Sequence, residues 1–502
     1  MKYETLEQAL EALAKYQQTM AAYNHAMGVL SLDGETVAPR GSSAGRGKTL
    51  GVLSGVSFKL LVNPEMQETF ETILANSSEC DRQIVREAEE IRDSYNEISR
   101  IPVEEFIAYQ ELTNEAGDVW HTAKEKDDYA SFAPYLEKLI EYQRRFAAYK
   151  DDKRPAYDVL LDSYEKGMDT AKLDVFFEGL RKELTPVIIE IGKRPAPDTS
   201  FLRGHFPIDK QRAFSDKLMA LMGLDRNHCG IAETEHPFTT GFGKHDVRIT
   251  THYYEPDVAS SMYSVIHEGG HAMYELGIGD ELQGTVLADG ASMGIHESQS
   301  RFYENLIGRS EPFCHAVLPL MRECFPGQFD AVTPEMLYRG VNLAQPSLIR
   351  VDADELTYGN HIMVRYELEK LLIGGDLSVK DLPGEWNRMY KTYLGIDVPT
   401  DREGVLQDTH WSGGMMGYFP SYALGSAYGV QMLHAMEKDV DVWSAVQSGN
   451  FAPVNEWLRE KIHRHGRMLT PVQLIENACG EGFNPSVYTD YLKQKFSSLY
   501  GL

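Results

Sequence analysis

The sequence predicts a mainly α-helical protein in which one small β-sheet precedes a histidine-bearing helix. Three observations support this prediction. Apolar residues recur every three or four positions through the first 190 residues and again after Gly294. Strand signals are confined to a middle section. No repeat, heptad array or low-complexity tract divides the chain, so we expect residues 1–502 to form a single body.

Helical patterning dominates the N-terminal part of the chain. Residues 6–30, 86–100 and 103–125 keep apolar side chains at spacings of three and four, as an amphipathic helix does. Pro102 is typical of the start of a helix, and residues 193–207, which are rich in proline, are the clearest loop. We expect helices to fill most of this part.

Strand signals occur only in the middle of the sequence. Residues 246–256 alternate in polarity, are rich in β-branched and aromatic side chains, and stop at Pro256. Residues 284–294 are a shorter strand-and-turn candidate. Beyond Gly294 helical spacing returns, and it is broken by the glycine-rich residues 410–429. A sheet next to the histidine-bearing helix would offer an edge to which an extended peptide can hydrogen-bond.

The charge balance excludes two classes of partner. The net charge of −26 would repel nucleic acid and an anionic membrane surface. No uncharged apolar run is long enough to cross a bilayer, and residues 1–16 lack the apolar stretch of a signal peptide. The five cysteines are scattered without CxxC spacing, as reduced thiols are. We therefore expect a cytoplasmic protein with no nucleic-acid or membrane partner.

The stretch SVIHEGGHAMYELG contains the pattern His-Glu-x-x-His. Asp257 is a candidate N-cap and Gly277 a candidate end, so the stretch is expected to lie on one helix. There His267 and His271 lie one turn apart on one face and can bind the same ion. Glu268 is offset by about 100° from His267, where a general base can take a proton from a water that zinc activates. The pattern predicts a catalytic zinc site.

Two adjacent glycines, Gly269 and Gly270, lie inside this predicted helix. Each costs about 1 kcal/mol relative to alanine in a helix interior, so a purely structural helix would gain nothing from the pair. Glycines of this kind are expected where another backbone, or a substrate, must pass close to the helix.

Two histidines and a water leave a zinc ion one protein ligand short. Glu275 lies on the same face, but it is eight residues from His267, which is about 12 Å of helix, while zinc ligands stand about 2 Å from the metal. The third ligand must therefore come from another element. Sequence spacing leaves four downstream candidates open: Asp289, His296, Glu297 and Glu304.

The sequence HEGGH at residues 267–271, followed by HESQ at residues 296–299, resembles the carboxypeptidase Taq family of zinc metallocarboxypeptidases. The resemblance touches most of the chain, because other family signatures occur in order: YDVLLDSYEKGM, HPF, DVRIT, IRVDAD and GVLQDTHW at residues 157–168, 236–238, 246–250, 349–354 and 404–411. One departure is Leu32, where relatives often carry a tryptophan. It concerns packing and leaves the chemistry unchanged.

The resemblance implies a helical peptidase fold like that of angiotensin-converting enzyme and neurolysin. Residues 1–200 and 201–502 would form the two walls of one deep substrate groove within a single catalytic domain. The resemblance also implies Glu297 as the third zinc ligand, with Arg301 as its orienting partner, and a homodimer. Co²⁺ or Mn²⁺ could substitute for Zn²⁺ at two histidines and one glutamate.

The implied reaction releases single C-terminal amino acids from peptides with broad specificity. Glu268 would assist the attack of water activated by zinc and then return the proton to the leaving amine. Tyr422 is expected to donate a hydrogen bond to the oxyanion. His410 would help to hold the substrate, and Tyr418 is a further candidate for substrate contact.

A carboxypeptidase must also bind the free carboxylate of its substrate, for which a guanidinium offers a planar fork of donors. Arg350 in IRVDAD and Arg248 in DVRIT are the candidates, and the resemblance favours Arg350. Arg248 could instead fix the sheet edge through Asp246.

Two other functions are weighed against this one. An endo-acting oligopeptidase would use the same groove and metal but would lack a carboxylate anchor. A non-catalytic scaffold stabilised by zinc would need a closed site, usually rich in cysteine. No cysteine is near the histidines in sequence, and Glu268 would have no task in a scaffold.

Overall fold

The structure is a computed structural model that describes residue 3 and residues 5–502, without the side chain of residue 40. Helices dominate it. In the described part of the chain, nine α-helices precede the sheet: α1 (Leu6–Thr36), α2 (Ser43–Leu61), α3 (Pro64–Ala75), α4 (Arg82–Ser99), α5 (Val103–Lys126), α6 (Tyr129–Lys150), α7 (Ala156–Tyr164), α8 (Thr170–Ile191) and α9 (Ile208–Met222).

The remaining described residues form eleven α-helices that follow the sheet. They are α10 (Val258–Gly277), α11 (Met293–Arg301), α12 (Glu311–Cys324), α13 (Pro334–Val341), α14 (Glu355–Gly374), α15 (Leu382–Leu394), α16 (Pro420–Met436), α17 (Val442–Gln447), α18 (Ala452–Lys461), α19 (Pro471–Cys479) and α20 (Pro485–Tyr500). None of the described helices combines the length and apolar character needed to cross a bilayer.

The sheet has three short strands: β1 (Cys229–Glu233), β2 (Thr239–Gly241) and β3 (Val247–Thr251). β3 lies in the middle, parallel to β1 and antiparallel to β2. β2 is therefore an edge strand. The strand predicted over residues 246–256 is confirmed as β3, although it ends at Thr251. β1 and β2 were not predicted: β2 has only three residues, and β1 (CGIAE) lacks the run of β-branched side chains that marks β3.

Two local predictions are wrong. Residues 284–294 contain no strand, because the chain makes successive tight turns there, with Thr285 N–H bonded to Leu282 O and Ala288 N–H to Thr285 O. These turns reverse the chain and bring α11 back against α10. The glycine-rich residues 410–429 are irregular only as far as Phe419, since α16 begins at Pro420.

The predicted histidine helix is confirmed as α10. The Asp257 carboxylate accepts hydrogen bonds from the backbone N–H groups of Ala259 and Ser260 and so caps the helix. A Cβ at Gly270 would lie 2.6 Å from the Gln299 carbonyl oxygen. The glycine therefore lets the backbone of α11 pass directly against α10, as expected from the sequence.

The buried apolar side chains of the described residues form one large core and two small ones, the smallest of which consists of Ile278, Leu282 and Leu287. The large core runs from Ile101 to Phe496 and passes through residue 200 without a break. The other small core joins α1, α3 and α4 through residues such as Leu13, Phe70 and Ile91. A single domain whose groove walls divide near residue 200 stays a prediction.

Candidate active site

The structure brings three predicted metal ligands together. His267 and His271 project from α10 and Glu297 from α11, and one ligand atom of each lies within 4.8 Å of the others. Glu297 Oε2 is 3.9 Å from His267 Nε2 and 3.6 Å from His271 Nε2. Two imidazole nitrogens and a carboxylate form a donor set that suits a divalent metal ion and leaves a fourth position open.

Glu304 holds His267 through the ring nitrogen that faces away from the other ligands, Nδ1. Glu304 lies on a π-helical turn, Phe302–Ile307, that continues α11. His267 Nδ1 is 2.8 Å from Glu304 Oε2. Arg301 Nε donates to Glu297 Oε1 at 2.7 Å and its Nη1 donates to Glu304 Oε2 at 3.0 Å. Arg301 thus orients the predicted third ligand, and Glu304 fixes the first histidine.

The four candidates for the third ligand now separate. Glu297 is the one that joins the histidines in the described part of the chain. Glu304 supports His267 instead, and His296 Nδ1 lies 2.7 Å from His271 Nδ1. Asp289 pairs with Arg467, away from the histidines.

Glu268 lies beside the ligands but is not among them. It is 6% exposed, and burial raises the pKa of its carboxyl. Thr239 on β2 donates its hydroxyl hydrogen to Glu268 Oε2 across 2.7 Å. A cleft of about 600 Å³ begins at Thr239 and runs between β2 and α1, past Met20 and Asn24. Glu268 does not line this cleft itself, but its hydrogen-bond partner Thr239 does.

A second group of charges lies on another side of the site. We call it the arginine cluster, and it consists of Arg350, Arg365 and Asp408. Asp408 Oδ1 accepts from Arg350 Nε at 2.9 Å, and its Oδ2 accepts from Arg365 Nε at 2.8 Å. Despite burial, the two guanidinium groups hold the pKa of Asp408 below its ordinary value. Two cations and one anion leave one uncompensated positive charge.

His410, Tyr418 and Tyr422 lie together next to Arg350. The Tyr422 hydroxyl oxygen is 3.2 Å from His410 Nε2, and the centre of the Tyr422 ring is 5.1 Å from the Arg350 Cζ atom. Burial lowers the pKa of His410 to about 4, so the imidazole is neutral at pH 7. The Tyr418 ring stacks on His410 with centroids 5.6 Å apart. Burial also raises the pKa of Tyr422, so its hydroxyl keeps its proton.

One tyrosine connects the arginine cluster to the metal ligands. Arg350 Nη1 donates to the Tyr358 hydroxyl at 3.0 Å, and the Arg301 guanidinium lies 4.5 Å from the centre of the Tyr358 ring. A Cβ at Gly425 on α16 would be 2.7 Å from Glu297 Cβ, so α16 also packs against the ligand. Tyr422 lies one helical turn before Gly425.

Arg248 lies apart from this arrangement. Its Nε and Nη2 donate to the two carboxylate oxygens of Asp246 at 2.7 Å and 2.6 Å. Its guanidinium also lies 4.8 Å from the centre of the Phe242 ring. Two of its five N–H groups are therefore engaged by Asp246, and Arg248 lies on the central strand β3, not at the sheet edge as the alternative had it.

Three residues of the site escaped the sequence analysis. Thr239 follows the HPF signature, Asp408 is within GVLQDTHW, and Tyr358 lies four residues beyond IRVDAD. The signatures marked the neighbourhoods of the first two. Their contacts could not be inferred, because no spacing rule connects Thr239 to Glu268, Asp408 to Arg350 and Arg365, or Tyr358 to Arg301.

Helical bodies that present an HExxH helix to a groove, with a glutamate from a second helix, are metallopeptidases, and the fold and site place this chain among them. Residues 12–496 match the model of the carboxypeptidase Taq (M32) metallopeptidase family. The chain therefore belongs to this family, and it is a metallocarboxypeptidase.

Individual relatives agree with this assignment. The chain is 40% identical to Carboxypeptidase 1 of Bacillus subtilis over 100% of both chains. It is 38% identical to Thermostable carboxypeptidase 1 of Pyrococcus furiosus over 98% of each. The crystal structure of the M32 carboxypeptidase from Deinococcus radiodurans superposes with a TM-score of 0.95 at 34% identity, covering 99% of this chain and 100% of that one. The predicted family and mainly α peptidase fold are confirmed.

Proposed function

We propose that the chain is a zinc-dependent enzyme that releases single C-terminal amino acids from peptides with broad specificity. One observation carries the proposal. The side chain of Tyr358 connects the metal-ligand side of the site, through Arg301, to the buried, positively charged arginine cluster, through Arg350. A terminal carboxylate bound at that cluster would lie across Tyr358 from the metal ligands. Broad specificity follows because every peptide with a free C-terminus carries this carboxylate.

His267 Nε2, His271 Nε2 and a Glu297 oxygen would hold the metal ion. We propose Zn²⁺, with Co²⁺ or Mn²⁺ as substitutes, because imidazole ligands suit zinc better than they suit Mg²⁺ or Ca²⁺. When bound, the ion would polarise the scissile carbonyl and lower the pKa of water at the open position. The Nδ1 atoms support this assignment, since both are already engaged on the far side of the rings.

Glu268 would act as the general base. Its carboxyl is buried with a raised pKa, which brings its basicity closer to what proton transfer at neutral pH requires. It would take a proton from the attacking water and deliver it to the nitrogen of the departing amino acid. The Thr239 hydroxyl would hold the carboxylate in the orientation that faces the ligands.

Tyr422 would donate to the oxygen that becomes negative during attack. Its raised pKa keeps the hydroxyl protonated, and its place one turn from Gly425 keeps it near Glu297. His410 Nδ1 is buried without a hydrogen-bond partner in the described structure, and this unused nitrogen is available to the peptide. The Tyr418 ring would pack against the departing residue.

Arg350 would bind the terminal carboxylate. Its Nε, one Nη2 hydrogen and one Nη1 hydrogen serve Asp408 and Tyr358. One N–H on each terminal nitrogen remains, which is the pair that a bidentate carboxylate accepts from. The excess charge of the arginine cluster supports this role, since a buried cation gains most from an added anion. For Arg248 we propose a structural role on β3 through its ion pair with Asp246.

The surroundings of the enzyme are also proposals. The five cysteines are free, in keeping with reduced thiols in the cytoplasm. A homodimer is proposed on the strength of the family resemblance.

The test is hydrolysis of one peptide with a free C-terminus and of its amidated twin, followed by mass spectrometry with zinc and after chelation. Stepwise loss of single C-terminal residues from the free peptide alone, abolished by chelation and restored by zinc, is the expected result. Internal cuts in both peptides would favour the oligopeptidase. Zinc binding without cleavage of either would favour the scaffold.

A further inference from the structure

His296 and Glu275 form a second layer behind the metal ligand His271, and no role has yet been given to either. We propose that they are positioning residues which hold His271 with its Nε2 lone pair directed at the metal ion. The proposal rests on the metal site proposed above and concerns how that site is built. Three side chains in series carry it: His271, His296 and Glu275.

The hydrogen-bond directions in this series are determined by one requirement. His271 Nδ1 and His296 Nδ1 are 2.7 Å apart, so one of them donates and the other accepts. Only a proton on His271 Nδ1 leaves its Nε2 free to bind a metal. His296 Nδ1 is then the acceptor, and the proton of His296 is on Nε2. That N–H donates to Glu275 Oε1 at 2.8 Å.

Neighbouring groups hold these three side chains, which we call the relay, in place. The ring of Tyr274 packs on His296 with centroids 5.0 Å apart. A Cβ at Gly241 would lie 2.7 Å from Glu275 Oε2, so the edge strand β2 passes directly over the carboxylate. His296 is itself one residue before the ligand Glu297, so the turn that places the third ligand also places the support of the second.

The two histidine ligands are thus supported in different ways. His267 Nδ1 reaches a carboxylate directly, that of Glu304. Glu275 lies on the same helix as His271 and reaches it through the intervening imidazole of His296. The relay supplies His271 with the same carboxylate-backed orientation that second-layer partners of metal-binding histidines commonly provide.

The experiment is a zinc affinity measurement on purified, metal-free chain by competition with a chromophoric chelator. His296→Ala should weaken zinc binding about 10- to 100-fold, the usual loss for a second-layer partner. His296→Asn should recover part of this loss, because its Oδ1 can accept the proton of His271 Nδ1. Glu275→Gln should bind zinc with wild-type affinity or a few-fold more weakly, because the amide oxygen of Gln still accepts a hydrogen bond from His296.

Two further variants make the outcome decisive. His434→Ala removes an exposed histidine at the other end of α16 and should leave the affinity within about twofold. His271→Ala should abolish tight binding, and if it does not, the proposed metal site is itself wrong. If His271→Ala abolishes binding while His296→Ala keeps wild-type affinity, the proposed relay is wrong and the proposed metal site stands. Circular dichroism and thermal melting without zinc confirm that each variant folds.

Discussion

The two halves of the active site favour opposite charges. The half that holds the metal, which we call the metal cluster, combines three carboxylates with two guanidinium groups: Glu268, Glu297, Glu304, Arg301 and Arg309. Its carboxyl groups thus outnumber its guanidinium groups, and these carboxyl groups raise the pKa of His267 despite its burial, so this half favours an added cation. The arginine cluster has two guanidinium groups around a single carboxylate and an excess positive charge.

This difference explains how one groove can recognise the end of a peptide. A cation is favoured at one cluster and an anion at the other, and burial strengthens both preferences. A peptide that places its terminal carboxylate on Arg350 and its last amide bond at the metal satisfies both clusters at once. An internal segment of a longer peptide satisfies only one. Under the proposed function, the polarity of the site would therefore favour cleavage at the C-terminus over internal cleavage.

If the metal cluster supplies the chemistry, removing the base should affect turnover and leave metal binding intact. We expect Glu268→Gln to lower kcat by about 10²- to 10⁴-fold, because it removes proton transfer. Zinc content, measured by atomic absorption, should stay at one per chain. Glu11→Gln on the exposed face of α1 is the matched control and should keep full activity. Retention of wild-type kcat would remove Glu268 from the mechanism.

Tyr422 lies between the two clusters and should act on the transition state. Tyr422→Phe removes one hydroxyl and should lower kcat by about 10²- to 10³-fold, the usual loss for an oxyanion donor. Tyr418→Phe leaves the ring that packs on His410 and should lower kcat less than tenfold. Steady-state kinetics on a free-acid peptide compare the two. Equal losses would argue that the tyrosines act through packing.

The arginine cluster should determine substrate affinity. Arg350→Gln should lower kcat/KM for a free-acid peptide about 10- to 150-fold, the equivalent of 1.5–3 kcal/mol for hydrogen bonds to a charged group. Arg248→Gln removes the matched arginine on β3 and should change kcat/KM less than about threefold, because its guanidinium is paired with Asp246 and has no contact with the arginine cluster. A larger loss in Arg248→Gln than in Arg350→Gln would reverse the assignment of the anchor.

A smaller effect concerns the support of α11 on the metal side. Burial raises the pKa of Glu165 to about 7, and its carboxyl accepts a hydrogen bond from Gly294 N–H at the start of this helix. The folded state therefore holds a proton that the unfolded chain has lost above pH 4.5. The stabilisation is complete below pH 4.5 and is lost as the pH rises through 7.

Glu165→Gln should consequently flatten the dependence of stability on pH. Between pH 5 and 8 the wild type should lose up to roughly 3 kcal/mol more of its unfolding free energy than the variant does. Urea unfolding at the two pH values measures this difference, and contributions from all other groups cancel in the comparison. Parallel pH profiles would show that Glu165 is ionised when folded.

The sequence predicted the metal cluster better than the arginine cluster for a physical reason. His267, Glu268 and His271 share one helix, so their mutual positions follow from helix geometry alone. Their contact with Glu297 depends on the turns after α10, where the sequence analysis expected a short strand and a turn. The family resemblance, not spacing, selected Glu297 from the four open candidates.

The arginine cluster is assembled from distant parts of the chain. Arg350 precedes α14, Arg365 lies within it, and Asp408 is in the irregular segment before α16. Chemistry suggested that an arginine binds the substrate carboxylate. Only the packing of the folded chain could reveal that Asp408 pairs with two arginines and leaves one positive charge unpaired. The Thr239 contact with Glu268 was hidden for the same reason, since β2 is only three residues long.

The central claim is that the arginine cluster selects a free carboxylate across Tyr358 from the metal ligands. The most direct measurement is the ratio of hydrolysis rates for a free-acid peptide and its amide, with saturating zinc, in the wild type and in Arg350→Gln. A large wild-type ratio that collapses in the variant, with amide hydrolysis unchanged, is the predicted result. An equally large ratio in both enzymes would contradict the claim and place the anchor elsewhere.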